Sequence, residues 1–369
     1  MITFRRAVLG AAVVALVLGA GCGQTSQMDR NRAEATDRWQ SSRADMAVRL
    51  AQGCYDRGET KRAQQHIDDA LRNGVRHPTV YLLAARLAAE RGELDAALGY
   101  IQTARSLDPG SAEAVYVLGT IEHALGRSDE ALARFEEASR LDPKRPAFVL
   151  AESELLVAAG RPEDAARRLD DAVGRMPSKA EIHAARGDVL GLLGRHRAAA
   201  ESYEIALRLE PQRRDLKPSL ATALYAAGAY DEAEPVLADL VESEPEFPGG
   251  WALKMRAECL MALGRMAEAR AAYERLRAHS PHEPGPTLAL ARCDLLTNRL
   301  EDAENRLRAV LAGDPRHAEA NALLGCVLLS AGRRSEAAAY LRKALEDPAF
   351  EGRRTVEALL AQADRRGQL

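Results

Sequence analysis

Apolar residues recur along most of the chain at steps of three and four, the period of a helix with one buried face. The stretch from 112 to 143 shows it well. Val115, Leu118, Ile121 and Leu125 share one face of a first helix, and Ala131, Phe135 and Ala138 share one face of a second. Gly126 lies between them, where a left-handed residue can close a helix without steric cost. The second helix stops at Leu141-Asp142-Pro143, because proline cannot continue a helix and disfavours it one residue earlier. The predicted unit is a helical hairpin.

That unit repeats. Prolines 109, 143, 177, 211 and 245 are spaced 34 residues apart, followed by Pro281, Pro315 and Pro348 at steps of 36, 34 and 33. Glycines 58, 92, 126, 160, 194, 228, 264 and 332 keep the same beat, with Asn298 in the one slot that lacks glycine. Alanine fills a third slot at 63, 97, 131, 165, 199, 233, 269, 303 and 337. Three coincident combs do not arise from random composition, and fixed-period self-similarity is the signature of a repeat array. Two further slots explain the period physically. The slot of Gly119 is always small (Ala51, Ala85, Ser153, Gly187, Ala221, Ala257, Ala291 and Gly325 elsewhere). The slot of Phe135 is always large (Ile67, Ile101, Leu169, Tyr203, Leu237, Tyr273, Leu307 and Leu341). Small against large lets two helices approach closely and interlock.

Composition agrees with this. Charged residues make up 28% and aromatics 4% of the 369 residues, and the dominant Ala, Leu, Arg and Glu lose little rotamer freedom in a helix. A large sheet is disfavoured. The net charge of -3 leaves no electrostatic footprint for nucleic acid. Val115, Leu118, Gly119, Ala131, Phe135, Ala138 and Pro143 sit in seven slots of the pattern W-x2-L-G-x2-Y, A-x3-F and P, so the chain resembles the tetratricopeptide repeat family, with its first aromatic missing from most units. Nine units start at 44, 78, 112, 146, 180, 214, 250, 284 and 318 and cover residues 44–350. The resemblance implies an all-α fold, a right-handed α-solenoid of helix pairs. Val356, Leu359, Leu360 and Ala363, with Arg353, Arg354, Arg365 and Arg366 around them, predict a capping helix within 351–369 that covers the last repeat. The rhythm breaks once. Pro235 falls inside a second helix, a two-residue insertion follows within 244–250, and a bend or hinge is expected there.

The first residues have a different character. Arg5 and Arg6 precede an uncharged run, Ala7–Ala20, and small residues lead to Cys22, which reads as an export signal over 1–21. The run is shorter than a bilayer span of about 20 residues. Leu18-Gly19-Ala20-Gly21-Cys22 resembles a bacterial lipobox, although Gly19 replaces its usual large apolar residue. This implies lipid attachment at Cys22 and a membrane anchor. The alternative is a secreted protein with a free Cys22. Gly23, by the sorting pattern of similar lipoproteins, favours the outer membrane facing the periplasm. Residues 22–43 read as a polar spacer, with Trp39 expected to pack on the first repeat.

In similar arrays the first helices line a concave groove. The resemblance places Tyr55, Leu82, Arg86, Glu113, Tyr116, Glu154, Asp188, Tyr225, Trp251, Glu258, Leu288 and Arg292 there, with Lys254 and Glu319 in the same slots. Acidic residues outnumber basic ones in those slots. The expected ligand is therefore a peptide or helix of another protein carrying basic and apolar groups, although Glu at the start of a helix also serves its dipole. The Lys/Asn/Arg clamp with which some family members grip a C-terminal carboxylate is not recognisable. Cys259 and Cys293 share one packed slot in adjacent units and read as buried small hydrophobes. His279 and His282 have no metal-ligand spacing, no cofactor motif is present, and nothing pairs carboxylates with a nucleophile. The sequence reads as a non-catalytic scaffold of the bacterial cell envelope, in secretion, pilus or envelope assembly. A glycan- or peptidoglycan-binding module, or an accessory subunit of an envelope hydrolase, is the alternative.

Overall fold

The computed structural model describes residues 27–32, 34–36, 38–39, 42–243 and 250–365. Cys22 and the export signal lie outside them, as do 244–249 and 366–369. The chain divides into two units, up to Met176 and from Pro177 onward.

The first unit holds four helical hairpins. Helix α1 (42–56) pairs with α2 (Thr60–Arg72), α3 (Pro78–Glu90) with α4 (Leu94–Leu107), α5 (Ala112–Ala124) with α6 (Ser128–Leu141), and α7 (Pro146–Ala158) with α8 (Pro162–Arg175). The second unit holds five: α9 (Ala180–Leu192) with α10 (His196–Leu209), α11 (Lys217–Ala226) with α12 (Tyr230–Ser243), α13 (Trp251–Ala262) with α14 (Met266–His279), α15 (Pro284–Leu296) with α16 (Leu300–Gly313), and α17 (Ala318–Ser330) with α18 (Arg334–Ala344). Helix α19 (Arg353–Arg365) follows. The fold is an all-α solenoid, and the described residues form no strand.

Each comb has a visible physical role. The nine alanines of the third slot are all 0% exposed, at the seam where a second helix meets its neighbours. Ala131, beside Phe135 and Leu155 in one buried cluster, leaves no room for a longer side chain. Ala131→Leu is expected to lower stability by about 1–3 kcal/mol in a urea melt. The small and large slots touch directly: an added Cβ on Gly119, Gly187 or Gly325 would meet Phe135, Tyr203 or Leu341 at 2.8, 2.7 or 2.5 Å. At the end of α5, Gly126 has φ 77°, and its N–H reaches the His123 carbonyl while Arg127 N–H reaches that of Glu122, both at 2.9 Å. This double closure satisfies carbonyls that a helix end otherwise leaves open. Asn298 takes the same conformation, φ 58°, as the one non-glycine residue with positive φ among the described residues.

At the C-terminal end α19 lies on α18 and buries Val356 and Ala363, with Leu359 and Leu360 partly covered. Pro235 sits in α12 near its start and the helix continues to Ser243. The bend expected at 244–250 falls, apart from Gly250, outside the described residues. On either side of it Leu240, Val241, Ala252 and Leu253 belong to one buried cluster, so the core is continuous across the insertion. Trp39 departs from expectation. It is 58% exposed and lies under the guanidinium of Arg43, 4.5 Å from the ring centroid, four residues along the chain rather than in the first repeat.

Candidate functional site

Side chains from the groove slots are largely held by neighbours within the chain. In the first unit the Tyr55 hydroxyl donates to Glu90, and burial with that bond raises the Tyr55 pKa. Arg86 pairs with Glu113, which Arg145 also reaches at 2.9 Å. Tyr116 is half-buried, its ring 5.5 Å from Phe135 and 5.1 Å from Phe148 between centroids. It is a core residue as much as a groove residue. Leu82 is half-buried against the cluster around Ile101, while Glu154 is exposed.

The second unit shows the same economy of charge. Tyr203 donates to Asp188 and Tyr225 to Glu258, both at 2.6 Å, and Arg292 donates to Glu319 at 2.6 Å. Both tyrosine pKa values are raised, that of Tyr203 first by burial and that of Tyr225 first by its bond to Glu258. Trp251 opens α13 and packs partly against the main cluster. Glu113 and Glu319 are thus paired with arginines of this chain, whereas Asp188 and Glu258 accept only neutral tyrosine hydroxyls and keep their negative charge.

What the second unit does present is a run of cavities. The first, of about 480 Å³, brings Lys254, Glu258, Leu288, Arg292 and Glu319 from the first helices to Tyr273, Leu276 and His279 of α14. A second, of about 800 Å³, shares Arg292 and Glu319 with it and continues along Leu323, Cys326, Phe350 and Leu359. A third, of about 320 Å³, shares Cys326 and Leu359 with the second. The lining of the first mixes apolar side chains such as Leu253, Leu276 and Leu288 with the cations Lys254, Arg275 and Arg292.

Sequence reasoning confined to first helices missed the α14 wall. One signal was present: the slot that holds Ala70, Ala104, Ala138, Ala172, Ala206 and Ala344 holds Leu240, Leu276 and Val310 in three consecutive units. The missed polar residues are buried. Asp294, 0% exposed, lies 2.8 Å from Arg306 and 3.1 Å from Arg270. Glu152, 1% exposed, is met by Arg168, and the Ser139 hydroxyl lies at 3.3 Å; burial nonetheless raises its pKa. Glu234 bridges Arg256 and Arg265 at 2.8 and 3.1 Å. These clamps join helices across the seams and lie away from the cavities.

No described group of three or more His, Cys, Asp and Glu side chains could hold a metal ion. His279 Nδ1 lies 2.8 Å from the Arg275 carbonyl. Cys54, Cys259 and Cys293 are buried free thiols and Cys326 is half-buried. Burial pushes the Cys259 thiol up to about 11, which keeps it protonated and unreactive at neutral pH.

Tetratricopeptide repeat models match residues 48–146 and 186–284, 122–189 and 260–327, and 318–346. The chain belongs to the tetratricopeptide repeat family. Tetratricopeptide repeat proteins are in general non-catalytic scaffolds for protein interaction, and the coarse role of this array is that of a protein-interaction scaffold. None of the curated proteins matches the chain. Among solved structures it is similar to the C-terminal part of a TPR repeat-containing protein from Cytophaga hutchinsonii, at 18% identity and TM-score 0.53, covering 66% of this chain and 99% of that one. It is also similar to PilF of Pseudomonas aeruginosa (18% identity, TM-score 0.48, 56% of this chain and 94% of that one). PilW, described as a type IV pilus biogenesis factor, gives 20% identity and TM-score 0.48 over 56% of this chain and 95% of that one. The likeness to the Cytophaga hutchinsonii protein speaks for the fold alone. No helix among the described residues is long and apolar enough to cross a membrane.

Proposed function

We propose that this tetratricopeptide repeat array holds a segment of another protein in the cavities of its second unit, and that it works in the bacterial cell envelope, anchored by lipid on Cys22. One observation supports the groove above all: the first and second cavities meet at Arg292 and Glu319, so one extended or helical segment can occupy both. Apolar side chains of the segment would enter between Leu288, Leu323 and Phe350 and provide most of the affinity. Lys254 and Arg275 would receive its polar groups. The anchor rests on the Leu18–Cys22 pattern after a charged start and a short apolar run.

A photo-crosslinking residue placed at Lys254 or at Leu323 in living cells is expected to capture a protein partner, and one at Glu301, in the first turn of α16, is expected to capture none. Equal capture at all three positions, or retention of the chain on purified cell-wall material without protein adducts, would overturn the groove. The anchor is tested apart from it. Cys22→Ser is expected to move the protein out of the membrane fraction, and an unchanged fraction would sink lipidation.

A further inference from the structure

Helix α1 and the described helical residues before it carry apolar residues on two faces, and only one of them is used. Ala44, Ala51 and Cys54 face inward and are buried against α2 and α3. Trp39, Met46 and Leu50 are 58%, 59% and 48% exposed. At about 100° per residue these three fall on one strip, about 110° around the helix from the middle of the buried face. Met28, 71% exposed, recurs eleven residues before Trp39, close to three full turns. The opposite end of the array looks different. There α19 turns its apolar residues inward and leaves Arg354, Glu357 and Gln362 exposed, as a terminal cap in water should.

Acid is kept off the same strip. Arg32 and Arg43 fall within about 45° of its centre, while Asp29, Glu34 and Asp45 fall about 85° or more away; Arg30, Arg38 and Arg49 also lie about 75° or more from it. Arg43 is already seated over the Trp39 ring, a pairing of amphipathic groups suited to a headgroup layer. The acids therefore face away from whatever covers the strip. A surface that is apolar beneath and negative at its rim matches this pattern, and an anionic bilayer is such a surface. Position along the chain supports the same occupant. Met28 is six residues from Cys22, so a lipid on that cysteine would hold Met28 within about 20 Å of the membrane.

We infer that the exposed strip, Met28, Trp39, Met46 and Leu50 with Arg32 and Arg43 beside it, lies in the headgroup region of an anionic membrane. The strip fixes how the array stands on its anchor, and the acyl chain alone would leave that orientation free. This rests on the lipid anchor proposed above.

The test uses the full acylated protein, extracted from membranes and returned to vesicles of three parts phosphatidylethanolamine to one part phosphatidylglycerol. Trp251→Phe leaves Trp39 as the single tryptophan. Brominated lipid in the vesicles is expected to quench most of the Trp39 emission and to shift the remainder to the blue. Arg43→Glu, a change at a half-buried residue outside the repeat core, is expected to restore the emission of a water-exposed indole. Mass spectrometry of the Cys22 peptide separates the two ideas. An acylated protein whose Trp39 is not quenched overturns this inference and spares the anchor, whereas a chain without acylation overturns the anchor. Dimers that form through the strip and are lost with Trp39→Ser would assign the surface to a second copy and overturn the membrane reading.

Discussion

Asp294→Ala is expected to destabilise the second unit by about 3 kcal/mol or more, read as a lower urea midpoint by circular dichroism and Trp251 fluorescence. Asp294 is 0% exposed and holds Arg306 and Arg270, whose side chains are 15% and 32% exposed. Deleting the carboxylate leaves two guanidinium groups near the seam without their central partner. Glu274, 2.9 Å from Arg306, softens the loss, and Arg270 can turn toward water. Those two escapes put the effect at the lower end of the range for a broken buried pair. The informative comparison is the double replacement. In the same two slots two other units hold leucine opposite an apolar residue, Leu224 with Val236 and Leu260 with Ala272. Asp294→Leu with Arg306→Ala is therefore expected to fall near the wild-type midpoint, because desolvating the charges cost about as much as their attraction returned. A single variant that melts like wild type, or a double variant as weak as the single, would show that the pair is not buried as described.

This cluster also marks where reading the sequence stops. The seams were legible because hairpin stacking requires the same small, large and left-handed residues at each repeat. Gly126 and Asn298 could be placed from spacing before any helix was seen. Buried ion pairs carry no such period. Asp294 and Glu152 simply interrupt apolar slots, and their arginines lie 12 and 16 residues on. The groove was half legible. First-helix slots pointed to Glu258, Leu288 and Arg292, which line one cavity, but an excess of acid in a list says nothing about who neutralises it. Arg86 with Glu113 and Arg292 with Glu319 are both 27 residues apart. That is one register at two repeat boundaries, which only a three-dimensional stack turns into a contact. Trp39 misled for a related reason. A lone aromatic in a polar stretch suggests packing, but the first helix had already filled its inner face with alanines and a cysteine.

Gly119→Leu should cost the first unit about 3 kcal/mol, near the upper end for forcing extra carbon into a filled seam. An added Cβ alone would lie 2.8 and 2.9 Å from the Phe135 ring and 3.0 Å from Arg134 Cβ. The ring cannot swing away easily, since Tyr116 stands 5.5 Å from it and Ala131 and Leu155 share its cluster. Alanine at this position should behave otherwise. Ala257 faces Tyr273 in a sister unit, with both nearly fully buried, so a hairpin of this family can settle around one methyl opposite a large ring. The helix gains about 1 kcal/mol when glycine becomes alanine in its interior, which offsets much of the strain, and Gly119→Ala is expected within about 1 kcal/mol of wild type. Combining Gly119→Leu with Phe135→Ala exchanges large for small across the contact. A double-mutant cycle should then show coupling of about 1–3 kcal/mol, with the pair less damaging than the sum of its parts. Strict additivity would mean that the two side chains do not meet, and the small-against-large rule of every hairpin in the array would fall with them.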